Sequence, residues 1–161
     1  MIEYNATING LDQLQRQLAQ APQLVITEAV KATNISLANY HRTARQIAPI
    51  DKGPLRNSIT ITPAKVEGTK ITGSVGTDIE HAAAQEGGSG IYGPTKQRIR
   101  PKRARVLAWK EGNRMRFATS VKGVKGRFYM KGSLQQNQVN TDRAFKQAAD
   151  NVANAIVKGG K

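Results

Sequence analysis

A chain of 161 residues with 39% hydrophobic and only 5% aromatic residues predicts one domain whose core is built from Ile, Leu, Val and Ala. It holds no cysteine, which excludes disulfide scaffolds, thiolate metal sites and cysteine nucleophiles and fits folding in a reducing cytosol. Its 25 Lys and Arg against 11 Asp and Glu leave a formal charge of +14, so an acidic partner is implied: nucleic acid, membrane surface or acidic protein. The apolar runs fall far short of the roughly 18 to 20 residues of a membrane span, and the start, MIEYNATING, lacks a signal peptide's basic flank and apolar stretch. The expectation is a soluble, unsecreted protein with no membrane partner.

Ile2 to Ile8 partly alternates apolar with polar and stops at Asn9-Gly10, which predicts a short strand over 1–9 ending in a turn. Helical spacing then runs from 11 to 47. Leu11, Leu14 and Leu18 lead to Pro22, either a break or the first turn of a second helix. Beyond it Ile26, Val30, Thr33, Leu37, Tyr40, Ala44 and Ile47 step by four and three, laying one face on the core while Lys31, Asn34, Arg42 and Arg45 point away. Pro49 ends the helix, because the residue before proline is pushed out of helical geometry.

Asp51-Lys52-Gly53-Pro54 is turn chemistry. Ile59 and Ile61 alternate with threonines in a strand from about Asn57 to Ala64, and Glu67-Gly68-Thr69-Lys70 turns into a second strand, Ile71 to Gly76, weakened by the small Gly73 and Ser74. The stretch from Asp78 to Gln97 is rich in glycine and reads as a long mobile loop. Two more strands, Val106 to Trp109 and Arg114 to Val121, flank Glu111-Gly112-Asn113. Phe145, Ala148, Val152 and Ile156 form an apolar stripe on a C-terminal helix, with 133–157 mainly helical. No internal repeat is visible.

Gly88-Ser89-Gly90-Ile91-Tyr92-Gly93-Pro94-Thr95 has the glycine spacing of a phosphate-binding loop, but Pro94 stands where that loop needs its lysine. His41 and His81 are the only histidines, neither in a metal-ligand spacing. No serine sits in a nucleophile elbow. Neither catalysis nor a cofactor is expected. Lys96, Arg98, Arg100, Lys102, Arg103 and Arg105 place six cations in ten residues. On an extended segment Lys96, Arg98, Arg100 and Lys102 would project to one side. They read equally as a solvated strand edge or as a phosphate-directed, sequence-blind contact, since aromatics at stacking intervals are absent between them. Arg114, Arg116, Lys122, Lys125, Arg127 and Lys131 add charge close by.

Ala48-Pro49-Ile50-Asp51-Lys52-Gly53-Pro54-Leu55-Arg56-Asn57-Ser58-Ile59 resembles the Ala-Pro-Val/Ile-Asp-Thr-Gly-x-Leu-Arg-x-Ser-Ile pattern of the gene-ten-like morphogenesis proteins of lambda-like phages, also called tail-completion, neck or head-tail joining proteins. His81-Ala82-Ala83-Ala84-Gln85-Glu86-Gly87-Gly88 is similar to that family's Tyr-Ala-x-x-x-Glu-x-Gly stretch, with His81 where tyrosine is usual. Gly126-Arg127-Phe128-Tyr129-Met130-Lys131-Gly132-Ser133-Leu134 is similar to its Gly-Arg-Pro-Phe-Met-Arg-Pro-Ala-Leu stretch, without the prolines. The likeness spans roughly residues 24 to 157. In the first motif Pro49 would stop the helix, Asp51 satisfy turn donors and Gly53 supply a conformation other residues resist, while Leu55 and Ile59 anchor the turn to the core and Ala48 and Ser58 complete the pattern.

These readings converge on one α+β domain: an antiparallel sheet over 57–121, packed against the long helix and the C-terminal helix and interrupted by the glycine-rich loop 78–97. The resemblance implies a virion structural protein, not an enzyme. Its copies would form a ring, typically of six, at the head-tail junction between the head connector or stopper and the tail tube or terminator. DNA would pass through the lumen, and Lys96 to Arg105 would face either it or a neighbouring subunit. Such a protein would occupy the host cytoplasm during assembly and the virion afterwards. The competing expectation is a free, sequence-nonspecific nucleic-acid-binding module.

Overall fold

The computed structural model describes residues 11–50 and 54–158. The strand expected over 1–9, and Asp51 and Gly53 of the turn motif, lie outside the described residues. The elements are α1 (Leu11–Ile47), α2 (Pro54–Ser58), β1 (Thr60–Glu67), β2 (Lys70–Gly76), α3 (Ala82–Gly87), a 3-10 turn (Gly90–Tyr92), β3 (Leu107–Glu111), β4 (Arg114–Ala118) and α4 (Tyr129–Lys158). The class is α+β. The strands form two separate two-stranded sheets, β1 with β2 and β3 with β4. Among the described residues no helix is long and apolar enough to cross a membrane.

Pro22 lies inside α1 rather than breaking it. Its ring removes one backbone donor, but a helix this long is held from both sides of the gap. At the other end Ala48 still donates to the Ala44 carbonyl at 2.8 Å, and Pro49 follows at the limit of helical geometry. The strand expected from Asn57 starts instead at Thr60, because Pro54 to Ser58 closes a helical turn. Proline is suited to a first helical position, and the Ser58 hydroxyl donates back to the Leu55 carbonyl at 2.8 Å.

The chain packs as two compact units. The first takes α1 up to Asn39, Ile61–Ser74 of the first hairpin, and α4 from Asn137 onward. Leu37 and Ala32 of α1 and Ala148 of α4 are its buried apolar residues. A methyl group added at Gly73 would lie 2.7 Å from Leu37 Cδ1, so the smallness that seemed a weakness in β2 is what admits the leucine. Asn34, expected to point away from the core, instead accepts the Ala64 amide through Oδ1 at 2.9 Å. Glu28 is buried: Asn151 Nδ2 donates to its Oε2 at 2.7 Å and Lys31 Nζ donates to Oε1. The Asn151 bond first, then Lys31, hold its carboxyl below the usual glutamate value.

The second unit comprises Tyr40–Thr60 and Val75–Gln136. Its core is Ala44, Ala48, Leu55, Ile59, Ala82 and Tyr129, with Ile47, Val75, Ile79 and Met130 packed around it. His41 Nε2 donates to the Ile59 carbonyl at 2.9 Å, since a carbonyl only accepts. Arg45, also expected to face solvent, is half-buried with its Nε enclosed and without a partner. Burial, and then the Glu86 carboxylate, push the Tyr129 phenol above its ordinary value.

Candidate functional site

The stretch Asp78 to Gln97, expected as a mobile loop, carries α3 and the 3-10 turn, and its Gly88, Gly90 and Gly93 are buried. They are buried against backbone. Ser89 N donates to the Val124 carbonyl at 2.9 Å, Ile91 N to the Lys122 carbonyl at 2.9 Å, and Val124 N to Ser89 Oγ at 3.1 Å. Gly90 (φ 62) and Gly123 (φ 86) face each other so closely that an added methyl would lie 2.2 Å from the Lys122 oxygen at one and 2.2 Å from the Ser89 oxygen at the other. This interlock needs glycine twice over, for the left-handed backbone and for the approach. It also rules out a phosphate-binding loop on geometry. The amides of Gly88, Ser89, Ile91, Tyr92 and Gly93 all have carbonyl partners, so they form no anion cradle.

The interlock holds one side of a basic strip. Ile99 and Val121 exchange both backbone hydrogen bonds, each 2.9 Å, in an isolated antiparallel bridge. That register sets Arg98 opposite Lys122 and Arg100 opposite Ser120. Arg98 reaches diagonally, its Nε donating to Ser120 Oγ at 2.9 Å. Ile99 and Val121 line an apolar groove of about 450 Å³, where Leu107, Trp109 and Val124 join them. Lys125 lies 5.6 Å from the centre of the Tyr92 ring, at cation–π distance.

All six residues of the predicted basic stretch are exposed: Lys96, Arg98, Arg100, Lys102, Arg103 and Arg105. The one-sided alignment expected for Lys96, Arg98, Arg100 and Lys102 needs extended chain, which the bridge supplies around Ile99. Lys96 adopts φ 53 and the chain bends from Lys102 to Val106, so period-two alternation ends at both sides of the bridge. Of the turn motif, Ala48, Leu55 and Ile59 are in the core, while Pro49 and Ser58 are half-buried.

Between the two bridged segments lies a hairpin. β3 and β4 pair from Leu107↔Ala118 to Glu111↔Arg114, and apart from Leu107 and Ala118 at the base every residue of both strands is exposed. Trp109 is 40%, Met115 55% and Phe117 65% accessible. These large apolar side chains lie on a two-stranded ribbon that is exposed to solvent on both faces.

From Lys96 to Lys131 the chain holds thirteen Lys or Arg and a single acid, Glu111, whereas the rest of the chain is nearly balanced, twelve against ten. Lys110, on β3, belongs to this set and is missed when cations are grouped by runs; a windowed charge count finds it. Only Arg116 of the thirteen is ion-paired among the described residues, through Nε to Glu111 Oε2 at 2.7 Å. No cluster of His, Cys, Asp and Glu fit to hold a metal occurs among the described residues.

Glu86 is the other residue whose role emerges only in three dimensions. Its Oε2 accepts the Met130 amide at 2.8 Å and its Oε1 the Lys131 amide at 3.0 Å, while Arg127 N donates to the Gln85 carbonyl at 2.7 Å and Phe128 N to the Glu86 carbonyl at 3.0 Å. A carboxylate from α3 thus caps the first turn of α4, satisfying donors that a helix start leaves open. This cap also explains why α4 begins at Tyr129, ahead of the start expected near 133. No family model, curated protein or solved structure matches the chain.

Proposed function

We propose that the protein is a structural ring subunit of a tailed-phage virion, a tail-completion or neck protein at the head-tail junction. One observation carries this reading. The three stretches that resemble the phage family, separated by tens of residues, meet in a single core: Ala48, Leu55 and Ile59 of the first pack with Ala82 of the second and Tyr129 of the third. Glu86 of the second then caps the helix that the third begins. Residues that share a core are constrained together, so a fold would carry all three as one pattern. The wet hairpin with Trp109, Met115 and Phe117 supports a subunit that meets neighbours.

Particles assembled without the protein, viewed by negative-stain electron microscopy, test the reading. Separate full heads and finished tails are expected; normally joined particles would remove it. The concentration of charge between Lys96 and Lys131 favours a second reading, a free nucleic-acid-binding module. That reading requires joined particles in the same experiment and a purified chain that stays monomeric.

A further inference from the structure

We infer that the bridged segments around Ile99 and Val121 form a sequence-blind phosphate-binding strip for double-stranded DNA, centred on Arg98, Arg100 and Lys122. The inference rests on the ring-subunit reading for the source of the DNA, though not for the binding itself.

Folding alone does not account for the strip. Like charges directly opposite on paired strands are destabilising, yet the bridge sets Arg98 across from Lys122. Twelve of the thirteen cations between Lys96 and Lys131 have no acidic side chain as ion-pair partner among the described residues. Such a lobe repels itself over the Debye length of about 10 Å, and a polyanion relieves that repulsion while releasing its own counterions. The strip is also held in advance. Lys122 and Gly123 are locked to Ser89 and Gly90 by backbone contacts, and Ser120 accepts from the Arg98 guanidinium, so little ordering remains to oppose binding.

The chemistry selects duplex phosphates. Arg98 and Arg100, two residues apart on extended chain, are separated by about 6.6 Å, far enough for each guanidinium to meet a different phosphate of one backbone. No aromatic side chain occurs between Lys96 and Arg105, so the stretch that carries Arg98 and Arg100 offers no stacking platform for single strands. Nor does it present a helix or ribbon side chain set for reading base edges. A second copy of the chain is a poor complement, since outside this lobe its charge is nearly balanced.

Fluorescence anisotropy with the full chain and two short duplexes of unrelated sequence, across a salt series, tests the inference. Both duplexes should bind equally within about twofold, with log affinity falling linearly in log salt. R98A/R100A/K122A should weaken binding about tenfold or more at low salt and flatten the salt slope by about 2.7, which is about 0.9 for each phosphate no longer neutralised. The charge-conserving R98K/R100K/K122R should retain binding. K65A/K70A/K146A, which removes the same charge from exposed positions elsewhere, should bind like the parent. The inference fails if that control loses as much as the strip variant, if one duplex is preferred by about tenfold, or if the parent ignores DNA at about 50 mM salt while binding anionic phosphatidylglycerol vesicles or polyglutamate. Mass photometry of the same samples separates the two readings. Rings that lose DNA in the strip variant uphold both, and a monomer that binds DNA through the strip upholds this one alone.

Discussion

The Glu86 carboxylate receives two successive backbone amides, from Met130 at 2.8 Å and Lys131 at 3.0 Å, across 44 and 45 residues of sequence. A helix start is ordinarily capped by the residue just before it, and here that residue is Phe128, whose side chain offers no acceptor and whose φ is 52. Glu86 supplies what Phe128 cannot. Glu86→Ala should therefore lower stability by about 1 to 2 kcal/mol, as for loss of a good cap with its dipole contribution. Glu86→Gln, which keeps an acceptor but not the charge, should lose less. Urea melts of the three proteins measure the order; equal midpoints would refute the cap.

Gly90 and Gly123 should tolerate no side chain. Gly90→Ala and Gly123→Ala each drive a methyl into a carbonyl oxygen from a left-handed backbone, and each should cost about 3 kcal/mol. Gly112, at the turn of the second hairpin, has a similar φ of 61 but open space around it. Gly112→Ala should cost only the backbone preference, about 1 kcal/mol, and Gly112→Asn less still. Thermal melts that rank all three alanine variants alike would show that the interlock contributes nothing beyond backbone preference.

Glu28 links the first unit to pH. Its carboxyl is held below the ordinary value by Asn151 and then Lys31, so the ionised form is the one the fold favours. The stabilisation is present above the unfolded-state value and fades as pH falls through the lower folded-state value. The melting temperature of the parent should exceed that of Glu28→Gln near neutrality, with the gap closing in acid. A gap independent of pH would mean that Glu28 acts through packing rather than charge.

Ile59 and Phe117 separate folding from association. Ile59 is 2% accessible in the core of the second unit and Phe117 is 65% accessible on the hairpin. Ile59→Ala should destabilise by about 2 to 5 kcal/mol. Phe117→Ala should shift stability of the isolated chain by no more than about 0.5 kcal/mol while weakening self-association in sedimentation velocity. A Phe117 variant that unfolds would make the hairpin part of the core rather than a contact surface.

The α+β class, the long helix with its stop near Pro49, both hairpins and the C-terminal helix were legible in the sequence, because each follows from local periodicity or turn chemistry that neighbours along the chain decide. Ile59 was legible as a core residue from the motif that runs from Ala48 to Ile59, where it anchors the turn. The exposed cations were legible as charge, since composition needs no geometry. What the tertiary structure alone decided is which distant segments meet. Glycines between Gly87 and Gly93 read as a loop because they lack apolar periodicity, yet they are packed by backbone against Lys122 to Gly126, a contact that no side-chain pattern encodes. Asn34 and Arg45 read as solvent-facing because they are polar, and only the surrounding packing turns one into a partner for Ala64 and encloses the other. Glu86 read as one acid in a degraded motif; its function as a cap exists only where Met130 and Lys131 bring their amides to it. Local sequence sets the elements through short-range sterics and burial, whereas hydrogen bonds and close approaches between segments depend on the fold that joins them.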